Sequence, residues 1–374
     1  MILPGQTIGI LGGGQLGRMF AIAARRMGYH VHALDPTPES PTGQVADYEV
    51  NAPYDDLDAA RRFAYGVDVV TFEFENVPAE TLAAIEQIRP VHPSPHVLDT
   101  CRHRLREKTF LSEHGFPVTE FRQVRSSEEA TRAAEAIGNA SILKSADYGY
   151  DGKGQVRLTD ASEAAGAFAK IGRPLCVLEK WVPFDLELSV IVARTSDGQM
   201  VSFPPGRNDH VNGILDVTVA PAPISPKLAR DAIELGLAIA QALQVVGVIA
   251  IELFVVKDQL VVNELAPRPH NAGHYSFDAC ITSQFEQQLR AVCGLPLGDA
   301  TLLRPAAMAN LLGDLWKDRT PNWAAALADP QVKLHLYGKQ TPKPGRKMGH
   351  LTALADTIED ARRVVLAARQ RLQT

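Results

Sequence analysis

The stretch Val248–Arg268 constrains the fold more than any other part of the chain. It reads Val-Ile-Ala-Ile-Glu-Leu-Phe-Val-Val, a polar break at Lys257, Asp258 and Gln259, then Leu-Val-Val-Asn-Glu-Leu-Ala-Pro-Arg. Two β-branched runs across a short polar break predict an antiparallel hairpin. With Lys257 to Gln259 as the loop, Val256 pairs with Leu260, and counting back along both strands sets Glu252 opposite Glu264, on one face. Directly opposed side chains lie about 4.5–5.5 Å apart at Cβ, where like charges destabilise, so a cation is expected between them. With Asn263 beside them, these oxygens suit a hard ion such as Mg²⁺, which takes one or two protein carboxylates and leaves its other positions to water and phosphate. Two glutamates on a solvated sheet face are the plainer alternative. The following loop, Pro267 to His274, favours a site, because it gathers Arg268, His270, Asn271 and His274.

A chain of 374 residues is long for one core and implies two or three domains. Its 38 basic and 43 acidic residues give a net charge of −5, which offers no electrostatic basis for binding nucleic acid or an anionic membrane. Cys101, Cys176, Cys280 and Cys293 are scattered without a Cys-x-x-Cys pair, so neither a disulfide framework nor a zinc site is expected. With no secretory signal at the N-terminus and no apolar run of membrane-spanning length, a cytoplasmic location is expected.

The chain opens as a βαβ unit. An apolar run, Thr7 to Leu11, meets Gly12-Gly13-Gly14-Gln15-Leu16-Gly17, a helical segment follows, and Val31 to Leu34 ends at Asp35. This satisfies the dinucleotide fingerprint, although glycines at this spacing report only a tight turn and a closely packed helix. Val67 to Phe72 is a further buried strand; Glu73, Glu75 and Asn76 fall just beyond its carboxyl end, where open α/β sheets bind ligands. Leu98 to His114 has helical spacing, and its Arg102, Arg104, Arg106 and Lys108 read as a solvated face. Ser127 to Ile137 is a helix, and Ser141–Lys144 and Gln155–Leu158 are strands joined by a second glycine loop, Tyr148 to Gly154. That loop's N–H groups can approach an anion closely and Lys153 adds a charge, but it is no Walker A loop. Leu186 to Val192 alternates as a strand with Glu187 on one face, Phe203 to Leu215 reads as a long polar loop containing His210, and Pro226 to Leu243 is amphipathic. Near the end, Lys339, Arg346 and Lys347 surround a glycine turn, either a phosphate pocket or a surface loop.

Lys144, the Gly149–Gln155 loop, Glu179, Glu187 and the Glu252/Glu264 hairpin, in this order, resemble the ATP-grasp superfamily. More narrowly the chain is similar to the 5-(carboxyamino)imidazole ribonucleotide synthases. That likeness is carried by Gly12–Met19, Phe72–Val77, Tyr150–Gln155, Asn263–Asn271 and Gly345–His350, and so spans nearly the whole chain. It implies an α/β protein, α+β in its ATP domain: an N-terminal Rossmann-like pre-ATP-grasp domain over residues 1–100, a small lid over 101–180, and a C-terminal ATP-binding domain over 181–374. By the resemblance, Arg104, Lys144, Gly149, Tyr150, Asp151, Gly152, Lys153, Gly154, Gln155, Glu187, His210, Asn263 and Glu264 hold ATP. Glu179, Lys180, Trp181 and Val182 flank adenine. Glu252 and Glu264 hold Mg²⁺, with two ions expected. Gln15, Leu16, Glu73, Asn76, His270 and Asn271 face 5-aminoimidazole ribonucleotide, and Arg268, Lys339 and Arg346 meet its phosphate. Arg268, Asp151 and Lys153 are the catalytic candidates. Ala272 stands where the family commonly has serine, and Arg207 precedes Asn208 where an acid is frequent.

The implied reaction is phosphorylation of bicarbonate by ATP and capture of the carboxyl carbon by the substrate's exocyclic amine, in a homodimer. Other readings stay open at this point. A formate-using glycinamide ribonucleotide transformylase or another acyl-phosphate ligase would respond to a different co-substrate. A dehydrogenase built on Gly12 to Gly17 would bind NAD, and a regulator without catalysis would bind ATP and not hydrolyse it.

Overall fold

The computed structural model describes residues 1–138, 140–147, 154–317 and 319–373. In the N-terminal sheet, strands Tyr48–Val50, His30–Leu34, Thr7–Leu11 and Val69–Phe72 lie in that order, all parallel. Parallel strands are covered on both faces, which is why Val69–Phe72 is wholly buried and carries a single polar side chain, Thr71, whose hydroxyl accepts from Gln288 Nε2 at 2.9 Å. Helix Gln15–Arg26 sends Leu16, Met19 and Phe20 into one cluster with Phe285, Leu289 and Val292 of helix Gln284–Val292. That apolar contact fixes the N-terminal unit against the C-terminal one.

A second sheet orders Phe121–Val124, Cys176–Lys180, Ser141–Ser145 and Gln155–Leu158 antiparallel. Helices Ser127–Ile137 and Ala164–Ile171 join its core through Ala130, Ala134 and Ala167. The Ser126 hydroxyl caps the first of these, accepting from Glu129 N at 3.2 Å.

The third sheet is antiparallel and has nine strands. From its edge run Gln259–Ala266, Gly247–Val256, Leu186–Arg194, Gly206–Val211, Ile214–Ala220, Ala306–Leu312, Lys347–Leu354 and Val332–Leu336, while Met200–Ser202 pairs beside Leu186–Arg194. Ile249, Ile251 and Leu253 pack with Leu228, Ala232 and Ile239 of helix Pro226–Ala242. Val248 and Ala250 pack on the other face, with Tyr275 and Ala279. Burial on both faces is the reason the run is continuously apolar.

The central hairpin forms by a different route from the one expected. Val256 pairs with Gln259, not Leu260, so the turn is the two residues Lys257 and Asp258, at φ 49° and 63°. Such a turn matches the strand twist but would offset the two glutamates by one residue. A bulge after Glu252 restores the register, so Glu252 does face Glu264.

Two further expectations are corrected. Leu98 to His114 is not one helix but two, Pro95–Cys101 and Arg104–Glu113, broken where His103 adopts φ −120°, ψ 105° and accepts through Nδ1 from Arg106 N at 3.4 Å. The second helix does not present its charges only to solvent: Glu107 and Lys108 are 1% and 0% exposed. Its Leu111 joins the large-sheet core while its Lys108 reaches Glu179 on strand Cys176–Lys180, so the helix packs between the large sheet and the lid sheet. The expected Phe203–Leu215 loop is a hairpin, Gly206–Val211 and Ile214–Ala220, turning at Asn212 and Gly213 with φ 52° and 78°. The Asn-Gly pair was the available signal for it.

Candidate active site

A cleft of about 1130 Å³ opens where the three sheets converge. Every expected site residue among those described lines it except Gly154, whose carbonyl instead accepts from Ser145 N at 2.8 Å. The expected Gly149, Tyr150, Asp151, Gly152 and Lys153 lie outside the described residues.

The hairpin sets the acidic side. Glu252 is held at 3.3 Å by Asn263 Nδ2 and lies 3.4 Å from His270 Nε2, while Glu264 lies 3.8 Å from Arg104 Nη1. Burial and then the facing Glu264 push the Glu252 carboxyl up to about 7. Burial, with Arg268 and Lys347 nearby, holds the His270 imidazole well below its ordinary value, hence neutral. His270 was expected at the substrate; here it faces the acidic pair. Beyond it Glu187 and His210 form an ion pair, and His210 is raised by that carboxylate against the opposing effect of burial.

Opposite lies a buried cationic cluster. Glu179, 2% exposed, is bonded by Lys144 Nζ at 2.9 Å and approached by Lys108 Nζ at 3.5 Å. Burial opposes its charge, but Lys108, Lys144 and Arg104 together draw its carboxyl down to about 2. Lys144 moves the other way: burial lowers it although Glu179 is its partner. The two directions agree once the sharing is counted. Lys108 and Lys144 share this one carboxylate, while Arg104 is answered by Glu264 as well, so the two lysines bring more charge than Glu179 neutralises and leave positive potential facing the cleft for a polyanion. The Glu179 carboxylate lies in this cluster, and Lys180, Trp181 and Val182 follow it along the same cleft.

Beside the cluster is a flat apolar slot. Phe184 and Phe254 stack with centroids 4.5 Å apart and planes 4° from parallel, and Ile142, Val182 and Val261 line the same space. Arg157 lies 4.0 Å over the Trp181 ring and steadies the chain that links the lid to the large sheet. Phe184, Phe254, Lys108 and Arg157 were missed by sequence reasoning, since nothing in their local spacing marks them.

On the remaining wall, Arg268 Nε donates to Glu75 Oε1 at 2.7 Å, Lys339 Nζ to the Lys347 carbonyl at 2.8 Å and Arg346 Nη1 to the Thr341 carbonyl at 2.8 Å. Asn271 lines the cleft with its amide in reciprocal bonds of 3.1 and 2.7 Å with Asn310. The glycine loop also differs from a dinucleotide site. Glu73 accepts from Gly14 N and from Gly17 N at 2.9 Å, and Asp35 accepts from Gly13 N at 2.7 Å and from Tyr54 Oη at 2.6 Å. A protein carboxylate therefore takes the place at the helix N-terminus that a pyrophosphate would need, and the acid that would hold a ribose is engaged.

Two carboxylates and an amide on one wall, lysines and an arginine on another and a flat apolar slot beside them make up the cleft. Residues 109–285 match the ATP-grasp domain model, 5–102 the ribonucleotide synthetase preATP-grasp domain and 306–364 the phosphoribosylaminoimidazole carboxylase C-terminal domain, so this is an ATP-grasp protein. The chain is 42% identical to the N5-carboxyaminoimidazole ribonucleotide synthase of Bacillus subtilis (strain 168), over 94% of this chain and 92% of that one. It also matches 37% of the longer bifunctional purine synthesis protein purC/E of Dictyostelium discoideum, at 44% identity over 93% of its own length. Among solved structures, an ADP complex of an N5-carboxyaminoimidazole ribonucleotide synthetase superposes with a TM-score of 0.92 at 42% identity, covering 100% and 99% of the two chains. An Aspergillus clavatus synthase in complex with ADP and 5-aminoimidazole ribonucleotide gives 0.90 at 30% identity, covering 98% and 99%. The chain belongs to the N5-carboxyaminoimidazole ribonucleotide synthase family.

Proposed function

We propose that this chain is an ATP-dependent ligase of purine biosynthesis that carboxylates the exocyclic amine of 5-aminoimidazole ribonucleotide, with bicarbonate as carbon donor and ADP and phosphate as by-products. One observation carries the reading: the Glu252/Glu264 pair lines a single cleft with the cations Arg104, Lys108 and Lys144. In this reading Arg104 and Lys144, with the residues around 149–155, hold the polyphosphate. Adenine lies in the slot beside Trp181, Val182, Phe184 and Phe254, with Lys180 at its rim.

The donor set of Glu252, Glu264 and the Asn263 amide fits Mg²⁺. Among the described residues no group of three or more His, Cys, Asp or Glu is placed to bind a metal, which suits an ion that takes most of its oxygens from phosphate and water. When bound, Mg²⁺ neutralises charge on the transferring phosphoryl group. Arg268, oriented by Glu75, clamps the anionic carboxyl donor, and Gln15, Leu16 and Asn76 bound the aminoimidazole. Lys339 and Arg346 meet the ribonucleotide phosphate. Carboxyphosphate hydrolyses readily, so excluding water from the cleft during transfer protects it. A homodimer in the cytoplasm completes the reading; four buried free thiols are consistent with a reducing compartment.

ADP formation should require 5-aminoimidazole ribonucleotide and bicarbonate together, and formate should not replace bicarbonate. Equal rates with formate, or hydride transfer to NAD, would reject the reading in favour of the alternatives.

A proton and a metal compete for Glu252. Because its carboxyl sits at about 7, raised by burial and by Glu264, Mg²⁺ affinity in the presence of ADP should rise as pH climbs from 6 to 8. Calorimetry at pH 7 in buffers of different ionisation enthalpy should register proton release on Mg²⁺ binding; a pH-independent affinity with no proton release would contradict it.

A further inference from the structure

We propose that Glu107 and Lys108 are positioning residues for the phosphoryl-transfer centre, clamping the backbone on both sides of Glu264. The inference rests on the metal reading of Glu252 and Glu264 and deepens it.

Strand Gln259–Ala266 lies at the edge of the large sheet, where, among the described residues and beyond a single bridge of Val262 to Val118, its outward N–H and C=O groups meet no further strand. Helix Arg104–Glu113 covers that edge. Lys108 Nζ donates to the Asn263 carbonyl at 2.9 Å, and Glu107 Oε2 accepts from Leu265 N at 2.9 Å. Two consecutive residues of opposite chemistry thus satisfy the carbonyl before Glu264 and the N–H after it. Both side chains are almost wholly buried, where an unpartnered backbone group would be costly.

The location matters because the strand is irregular there. The pairing steps from Glu252↔Glu264 to Leu253↔Val262, which leaves Asn263 as the extra residue. A bulge removes ladder bonds where Glu264 must be aimed, and a slip of one residue would send its carboxylate to the other face. The clamp holds the bulge in the register that opposes the two acids. Lys108 also lies 3.5 Å from Glu179, which Lys144 bonds at 2.9 Å, so one ammonium ties the metal strand to the strand that presents the nucleotide lysine.

The test is the Mg²⁺ linkage of ADP binding, the ratio of ADP dissociation constants without and with Mg²⁺, measured by calorimetry on folded full-length protein. K108M and E107L should each reduce that ratio at least ten-fold, roughly the effect of losing one hydrogen bond to a charged group, while 5-aminoimidazole ribonucleotide affinity stays within about two-fold. E107Q keeps an acceptor for Leu265 N–H and should recover the ratio to within about three-fold of wild type. If K108M does not fold, K108R serves in its place, since a guanidinium cannot sit as one point donor between the Asn263 carbonyl and Glu179. Wild-type linkage in the folded variants overturns the proposal. So does an equal loss of ADP and 5-aminoimidazole ribonucleotide affinity, the pattern of a general structural role. E264Q separates the two levels: if it keeps wild-type linkage the metal reading fails, and if it alone loses linkage only the clamp fails.

Discussion

Glu264→Gln is expected to lower the turnover of ADP formation by roughly 10²–10³ while leaving the protein folded, because it removes a charge that acts on the transferring phosphoryl group and little that holds the chain together. The side chain keeps its shape. Its backbone stays held by Lys108 at the Asn263 carbonyl and Glu107 at Leu265 N. The substitution also relieves repulsion, since Glu252 faces Glu264 directly and is raised to about 7 in part by it. Arg104 loses a partner at 3.8 Å, a separation at which the loss is modest. Thermal unfolding should therefore stay within a few degrees of wild type. Glu252→Gln should have a comparable effect on turnover, and wild-type turnover in either variant would remove the proposed metal role.

Glu179→Leu has the largest expected effect on stability. It leaves Lys108 and Lys144 buried without the carboxylate they share, and breaking a buried pair in this way costs about 3–5 kcal/mol. The sign follows from the direction of the shift. The Glu179 carboxyl is lowered from 4.5 to about 2, so its contribution is fully present above about pH 4.5 and lost as pH falls through about 2. A depression of that size corresponds to about 3 kcal/mol at neutral pH. The difference in melting temperature between wild type and variant should thus be constant from pH 8 to 5 and narrow below 4.5. A difference that widened in acid, or that was absent at pH 7, would show that the cluster does not depend on this carboxylate. The same variant should bind ADP differently, since the potential facing the cleft changes with it.

Much of the site was legible in the chain because it consists of patterns within single elements. A strand's period of two reports which residues share a face, and so Glu252 and Glu264 were expected together. The outcome was right although the turn was wrong: two residues turn the chain, and a bulge supplies the compensating offset. No periodicity announces a bulge, because the extra residue is defined only by the partner strand. The Asn212-Gly213 turn is a local signal, and it marks the strand that carries His210 inside a stretch that otherwise reads as a polar loop.

The sequence by itself determined the Rossmann-like opening, the acidic hairpin and the cationic loop from Arg268 onward, since each rests on neighbours close along the chain. Tertiary structure alone decided the rest. It turned a helix that reads as a charged, solvated face so that Glu107 and Lys108 became buried ties to residues more than 150 positions away, and it gave the glycine-loop amides to Glu73. It also stacked Phe184 on Phe254 into a slot. Local spacing fixes the face on which a side chain lies, but burial and partnership depend on what packs against that face, and that is set by contacts far apart in the chain.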